Sequence, residues 1–147
     1  MADIFTKAKR SDIMSRIRSR GNKNTELALI KLFRRHRIAG WRRHLKLPGT
    51  PDFAFPKQRL VVFVNGCFWH GHKCCSRATR PKTNTDFWNK KISANIQRDA
   101  KVIKQLKQRG WAIFVIWQCQ LSRPESRVKS LRAFLQTPDI HKRNNYE

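Results

Sequence analysis

Apolar residues along the chain recur with two distinct periods, separated by polar, glycine- or proline-bearing segments. In "NTELALIKLFRRHRI", Leu27, Ile30, Leu32 or Phe33, and Ile38 follow helical spacing, Asn24 or Thr25 stands where an N-cap belongs, and Lys and Arg fill the other face. "WRRHLKL" and "PDFAF" are short, whereas "RLVVFVNG" is an almost unbroken apolar run closed by Asn65-Gly66. That pattern predicts two or three adjacent strands, the last buried on both faces. From about Asp86 a long helix is predicted, with Trp88, Ile92, Ile96, Ile103 and Leu106 on one stripe and Gly110 at C′. "WAIFVIW" (111 to 117) reads as another buried strand, and "PESRVKSLRAFLQ" as a closing helix with Pro124 near its first turn. Residues 2 to 22 are basic and sparsely apolar, which predicts an arm carrying one short helix around Ile13 to Ile17. The order is helix, strands, helix, strand, helix, with no repeat and no second core. The expectation is a single α/β domain: arm 1–22, core 23–137 and tail 138–147.

Composition then identifies the partner. A chain of 147 residues buries roughly 70% of the surface its unfolded form exposes, enough for a core without covalent staples. Against 9 Asp and Glu stand 33 Lys and Arg, a formal charge of +24 spread over nearly the whole length. Such self-repulsion favours a polyanion, and nucleic acid fits better than an anionic membrane surface. No run of 18 apolar residues and no apolar leader core occurs, so the expected location is the cytoplasm. In that reducing compartment the four cysteines are expected as ligands or free thiols.

Candidate chemistry concentrates in "VVFVNGCFWHGHKCC", residues 61 to 75. Cys67, His72 and Cys74 form C-x4-H-x-C, and Cys119 follows the strand 111 to 117. Side chains past strand C-termini gather in space, so Cys119 can return beside Cys67. Three thiolates and an imidazole are a ligand inventory for structural zinc. Cys75 rivals Cys74, because adjacent side chains point different ways, and buried or surface thiols without metal are the plain alternative. His70 is then left over, an imidazole suited to activating water near neutral pH. Asp52, between Pro51 and Phe53 in "GTPDF", is costly to half-bury unless it binds something, and it fits Mg²⁺. Glu26 opens a helix, where the dipole alone favours an acid. Asp86 and Asp99 read as a helix-cap and a helix-face group. Phe68 and Trp69 cannot easily both point inward, which suits stacking or wedging between bases. Trp88 suits either the core or that wedge, while Trp111 and Trp117 read as core.

"GTPDF", "VVFVNGCFWHGHKC" and "TDFWNKKISANIQRDAKVIKQLKQRGWAIFVIWQC" together resemble the Vsr (very short patch repair) DNA mismatch endonucleases, over about Thr6 to Cys119. The resemblance implies a restriction-endonuclease-like, PD-(D/E)xK-type fold with a central mixed sheet flanked by helices and a structural zinc. It implies nicking of one strand of duplex DNA 5′ to the T of a T:G mismatch left by 5-methylcytosine deamination, with Mg²⁺. Carried over by position, it implies zinc at Cys67, His72, Cys74 and Cys119, so Cys74 rather than Cys75. Asp52 and the Val64 carbonyl become Mg²⁺ ligands, His70 helps activate the attacking water, and Glu26 acts on the metal through water. Phe68, Trp69 and Trp88 become the wedge beside the mismatch, with Met14 of the arm entering from the other groove. The implied partners are mismatched duplex DNA, MutL-type mismatch-repair proteins and a repair polymerase. A companion cytosine-5 methyltransferase would act on the same sites. The protein is expected as a nucleoid-associated monomer. Where such folds commonly carry a Glu or Asp and a Lys, this strand reads Phe63-Val64-Asn65, and some members have Thr-His in place of Val64-Asn65; Asn65 cannot exchange a proton. A restriction-type or junction-cleaving nuclease, or a zinc-stabilised DNA-binding module without catalysis, remains the alternative.

Overall fold

A computed structural model of the protein describes residues 6–15 and 25–136. Helix α1 spans Lys7–Ser15, starting earlier than the neighbourhood of Ile13 to Ile17 that the sequence suggested; positions 16 and 17 lie outside the described residues. Met14 falls in α1, and its side chain lies outside the described residues. Helix α2 (Glu26–Arg35) starts after Thr25. It buries Glu26, Leu29, Ile30 and Phe33, a stripe at i, i+3, i+4 and i+7 that leaves Leu27 and Leu32 at its margin. Leu29 therefore takes the core place expected of Leu27.

The strands are β1 (Arg42–Arg43), β2 (Phe53–Phe55), β3 (Leu60–Asn65) and β4 (Ala112–Trp117), with helix α3 (Thr85–Gln108) between β3 and β4 and helix α4 (Glu125–Gln136) closing. The sheet order is β1-β2-β3-β4. The first three strands pair antiparallel, and β4 lies parallel to β3, with Leu60 opposite Ala112 and Asn65 opposite Trp117. A parallel pair needs a long crossover, and α3 is that crossover.

Strand alternation makes two cores. Phe53, Phe55, Leu60, Val62, Phe114 and Ile116 pack under α2 and α4, while Ala54, Val61 and Ile113 face Leu106, Val102 and Ile103 of α3. Gly110, at φ 77° after the C-cap Arg109, ends α3 as the sequence predicted. The predicted stripe of α3 is only partly buried: Trp88, Ile92 and Leu106 are inside, but Ile96 is 42% exposed. That half of α3 meets a loop rather than the sheet. A Cβ on Gly71 would lie 2.9 Å from Ile96 Cδ1 and 3.2 Å from Ile92 Cγ2. Among the described residues, no helix is long and apolar enough to cross a membrane.

Candidate functional site

Parallel β3 and β4 deliver both C-terminal ends to one edge of the sheet, and antiparallel β2 begins at that same edge. Asp52, one residue before β2, therefore sits beside the end of β3 and accepts a hydrogen bond from the Val64 N–H at 2.8 Å. Strand β2 pairs only as far as Phe53 opposite Val62, so Val64 turns its backbone groups past the end of that strand. Backbone N–H and C=O of one strand residue project to the same side, so the Val64 carbonyl is placed on the side of β3 that faces Asp52. Burial pushes the Asp52 pKa above the ordinary carboxylate value; Glu26 adds to the rise, while the Val64 N–H, His44 and His70 oppose it. A carboxylate short of solvent, next to a backbone carbonyl and in a cleft of about 490 Å³, matches the oxygen donor chemistry of Mg²⁺.

His70 lines this cleft with Asp52, Asn65 and Asp99. Its Nδ1 lies 2.5 Å from Asp99 Oδ2. An ionised carboxylate only accepts, so Nδ1–H is the donor and Nε2 is the nitrogen left for exchange with water. Behind Asp52, the nearly solvent-free Glu26 holds Arg43 and, at 2.7 Å, His44 Nε2. It lies near enough to affect Asp52 without lining the cleft itself.

The loop after β3 is folded by its own backbone. His70 N–H donates to Gly66 O and His72 N–H to Cys67 O, while Gly71 at φ 61° lets the chain lie flat on α3. His70 and His72 thus serve different neighbours. The His72 ring stacks on Trp117 at 4.1 Å, and its Nδ1 lies 3.5 Å from Cys119 Sγ. The Cys119 N–H donates to Cys67 Sγ at 3.4 Å. The ligand atoms of Cys67, His72, Cys75 and Cys119 lie within 4.8 Å of one another, a donor set and spacing that fit tetrahedral zinc. Burial, with the nearby Cys67 and Cys75 sulfurs, pushes the Cys119 thiol up to about 11; a cation would reverse that preference. Cys74 is exposed and adopts φ 55°, and Cys75 is the one of the two whose sulfur lies in the set. The structure gathers Cys75 where the resemblance had implied Cys74.

Phe68, Trp69 and Trp88 form one ring cluster, with centroids 5.2 to 6.0 Å apart. Phe68 and Trp69 are half-buried, whereas Trp88 is 7% exposed and forms the floor of the cluster. Phe87, unremarked in the sequence, packs on Trp88 and is 57% exposed.

Sequence reasoning passed over Asp99 as a helix-face group. A signal was present, since Asp99 stands on the apolar stripe, seven residues after Ile92 and four before Ile103. A carboxylate set on an apolar stripe needs a partner.

The family model for the DNA mismatch endonuclease Vsr matches residues 2–76 of the chain. The type II nicking enzyme V.XorIIP of Xanthomonas oryzae pv. oryzae is 44% identical over 124 residues, 83% of this chain and 88% of that protein. V.NmeAIP, a type II nicking enzyme of Neisseria meningitidis, is 40% identical over 82% of this chain and 85% of its own. The DNA mismatch endonuclease Vsr of Escherichia coli is 39% identical over 121 residues, 82% of this chain and 76% of that protein.

Proposed function

The chain belongs to the DNA mismatch endonuclease Vsr family, and from that premise we propose that it nicks one strand 5′ to the T of a T:G mismatch arising from 5-methylcytosine deamination. Such a nick initiates very short patch repair. The observation that carries this reading is the convergence of Asp52, the Val64 backbone and the His70–Asp99 pair on one cleft at the strand ends. The fold is then of the restriction-endonuclease-like, PD-(D/E)xK type, with Asp52 as its surviving acidic ligand.

Asp52 and the Val64 carbonyl would hold Mg²⁺, which when bound supplies positive charge against the scissile phosphodiester and its transition state. His70 accepts the proton of an in-line water at Nε2. Asp99 fixes the imidazole in the required tautomer and stabilises the imidazolium as it forms. Glu26 maintains negative potential behind Asp52, balanced by Arg43 and His44. Cys67, His72, Cys75 and Cys119 would hold zinc, tying the loop to the end of β4 and fixing where His70 stands. Phe68, Trp69 and Trp88 are the base-stack wedge, and Met14 of the arm approaches from the opposite groove. A mismatched pair unstacks more cheaply than a matched one, so the wedge reads the defect partly as deformability. The nicked product is suited to handover to a repair polymerase and MutL-type proteins.

The test uses duplexes with a T:G mismatch, a matched pair or a four-way junction, each strand labelled, with and without Mg²⁺. One nicked strand, in the mismatched duplex alone and only with Mg²⁺, is the expected result. Cutting of both strands of matched DNA, or of the junction, would make the protein a different nuclease; absence of any cutting would leave a zinc-stabilised binding module.

A further inference from the structure

A phosphodiester entering the cleft brings negative charge to a place that already holds Asp52 and Asp99, with Glu26 behind them. Strand β3 contributes no cation, since its end reads Phe63-Val64-Asn65. Among the described residues that line the cleft, the one Lys or Arg is Arg98, on the wall formed by α3.

Arg98 is placed there by helix geometry. Asn95, Arg98, Asp99 and Val102 stand at i, i+3, i+4 and i+7, one face of α3. Val102 is pressed against Gly49, where a Cβ would collide with the Val102 side chain, so this face is seated directly against the segment that leads into Asp52. Asp99 binds His70. Asn95 donates from Nδ2 to the Trp69 carbonyl at 2.9 Å, and its Oδ1 accepts from an Arg98 Nη2–H at 2.9 Å. The guanidinium is thus oriented by an amide whose other end is anchored in the aromatic loop. It retains further N–H donors for a phosphate, whose geometry suits a planar fork.

We propose that Arg98 is a further catalytic residue that donates to a non-bridging oxygen of the scissile phosphate, with Asn95 as the positioning residue that aims it. This rests on the assignment of the Asp52–His70 cleft as the nicking site. The guanidinium offsets charge that grows on the phosphoryl oxygens as the water attacks, so its effect falls on the rate more than on ground-state binding.

The experiment compares wild type, Arg98→Ala and Arg98→Lys as full chains. Single-turnover nicking of a strand-labelled T:G duplex by saturating protein in Mg²⁺ gives the rate, and titration of the duplex without Mg²⁺ gives Kd. Arg98→Ala is expected to slow nicking by on the order of 10²-fold or more, with Kd weakened by less than about tenfold, the scale of one lost phosphate contact. Added guanidinium, at concentrations that leave the wild-type rate unchanged, should restore part of the Ala variant's rate. Arg98→Lys should fall between, keeping the charge without the fork. Zinc content and melting temperature should match wild type in both. Unchanged nicking by Arg98→Ala, a loss confined to Kd, or a rate loss without guanidinium rescue would each overturn the assignment. A wild-type protein that fails to nick the mismatched duplex refutes the cleft assignment itself, whereas normal nicking by both wild type and Arg98→Ala refutes only the role of Arg98.

Discussion

Asp99→Asn keeps the size of the side chain and removes the charge that faces His70 Nδ1 at 2.5 Å. The two side chains are 25% and 32% exposed, so water screens the pair only partly. A hydrogen bond to a charged group contributes about 1.5–3 kcal/mol. If Asp99 stabilises the imidazolium formed as His70 takes a proton, losing that interaction raises the barrier by a comparable amount. At about 1.36 kcal/mol per decade, nicking slows roughly 10- to 150-fold. The substituted amide can also donate to Nδ1, which moves the ring proton to Nε2 and deepens the loss. The assay is single-turnover nicking of a mismatched duplex labelled on one strand at saturating protein, with Kd measured separately. Binding and zinc content should stay near wild type, because neither the ring cluster nor the cysteine set touches Asp99. Since the two residues act as a unit, His70→Ala/Asp99→Asn should be no slower than His70→Ala alone. Wild-type speed in Asp99→Asn, with His70→Ala inactive, would refute the argument that Asp99 works through His70.

Three other outcomes follow from the same geometry. Because burial raises the Asp52 pKa, the folded state binds that proton more tightly than the unfolded chain. Ionised Asp52 therefore costs stability at neutral pH, and the cost disappears as pH falls through the raised pKa towards 3.8. Asp52→Asn should thus melt higher than wild type at pH 7 without Mg²⁺, with the gap closing in acid, and should not nick; a lower melting temperature at pH 7 would contradict this sign. Cys75→Ser should lose zinc by mass spectrometry under native conditions while Cys74→Ser retains it, and the reverse would return the fourth ligand to Cys74. Phe33 is fully buried and makes ring contacts with Trp41, Phe53 and Phe55. Phe33→Ala should cost about 3–5 kcal/mol in urea unfolding while leaving the nicking rate per folded molecule intact.

The elements were legible because each carried its own pattern: the apolar runs of β3 and β4 and the stop at Gly110. The side-chain set at the strand ends was legible for a related reason, since strands delimited in sequence also delimit where Asp52, Cys67 and Cys119 emerge. What sequence could not supply was direction. Spacing alone left Cys74 and Cys75 both open, and only the folded loop shows Cys75 in the set with Cys74 exposed. Asp99 sits 29 residues from His70, a pairing fixed only once the crossover helix is laid across the loop. Ile96 followed the helical stripe faithfully yet remains exposed, because periodicity names a face of a helix and not what covers it. In the arm, basic composition gave no periodicity with which to place the ends of α1.

Helix α3 explains why one loop can serve two purposes. Its successive turns carry Trp88 under the aromatic cluster, Asn95 on the Trp69 carbonyl, Asp99 on His70 and Val102 against Gly49. From Trp88 to Asp99 is about 16 Å of rigid helix at 1.5 Å per residue. Trp69 and His70 are adjacent in the chain, and both are held to that one rod. A base step pressing on the ring cluster cannot displace Trp69 without straining the contacts that orient His70. Matched DNA, which resists unstacking, would leave the rings unseated and the imidazole misaligned with the phosphate. On the proposed wedge reading, selectivity would appear in the rate of nicking as well as in binding, so a matched duplex held at saturating protein should still be nicked more slowly than a T:G duplex.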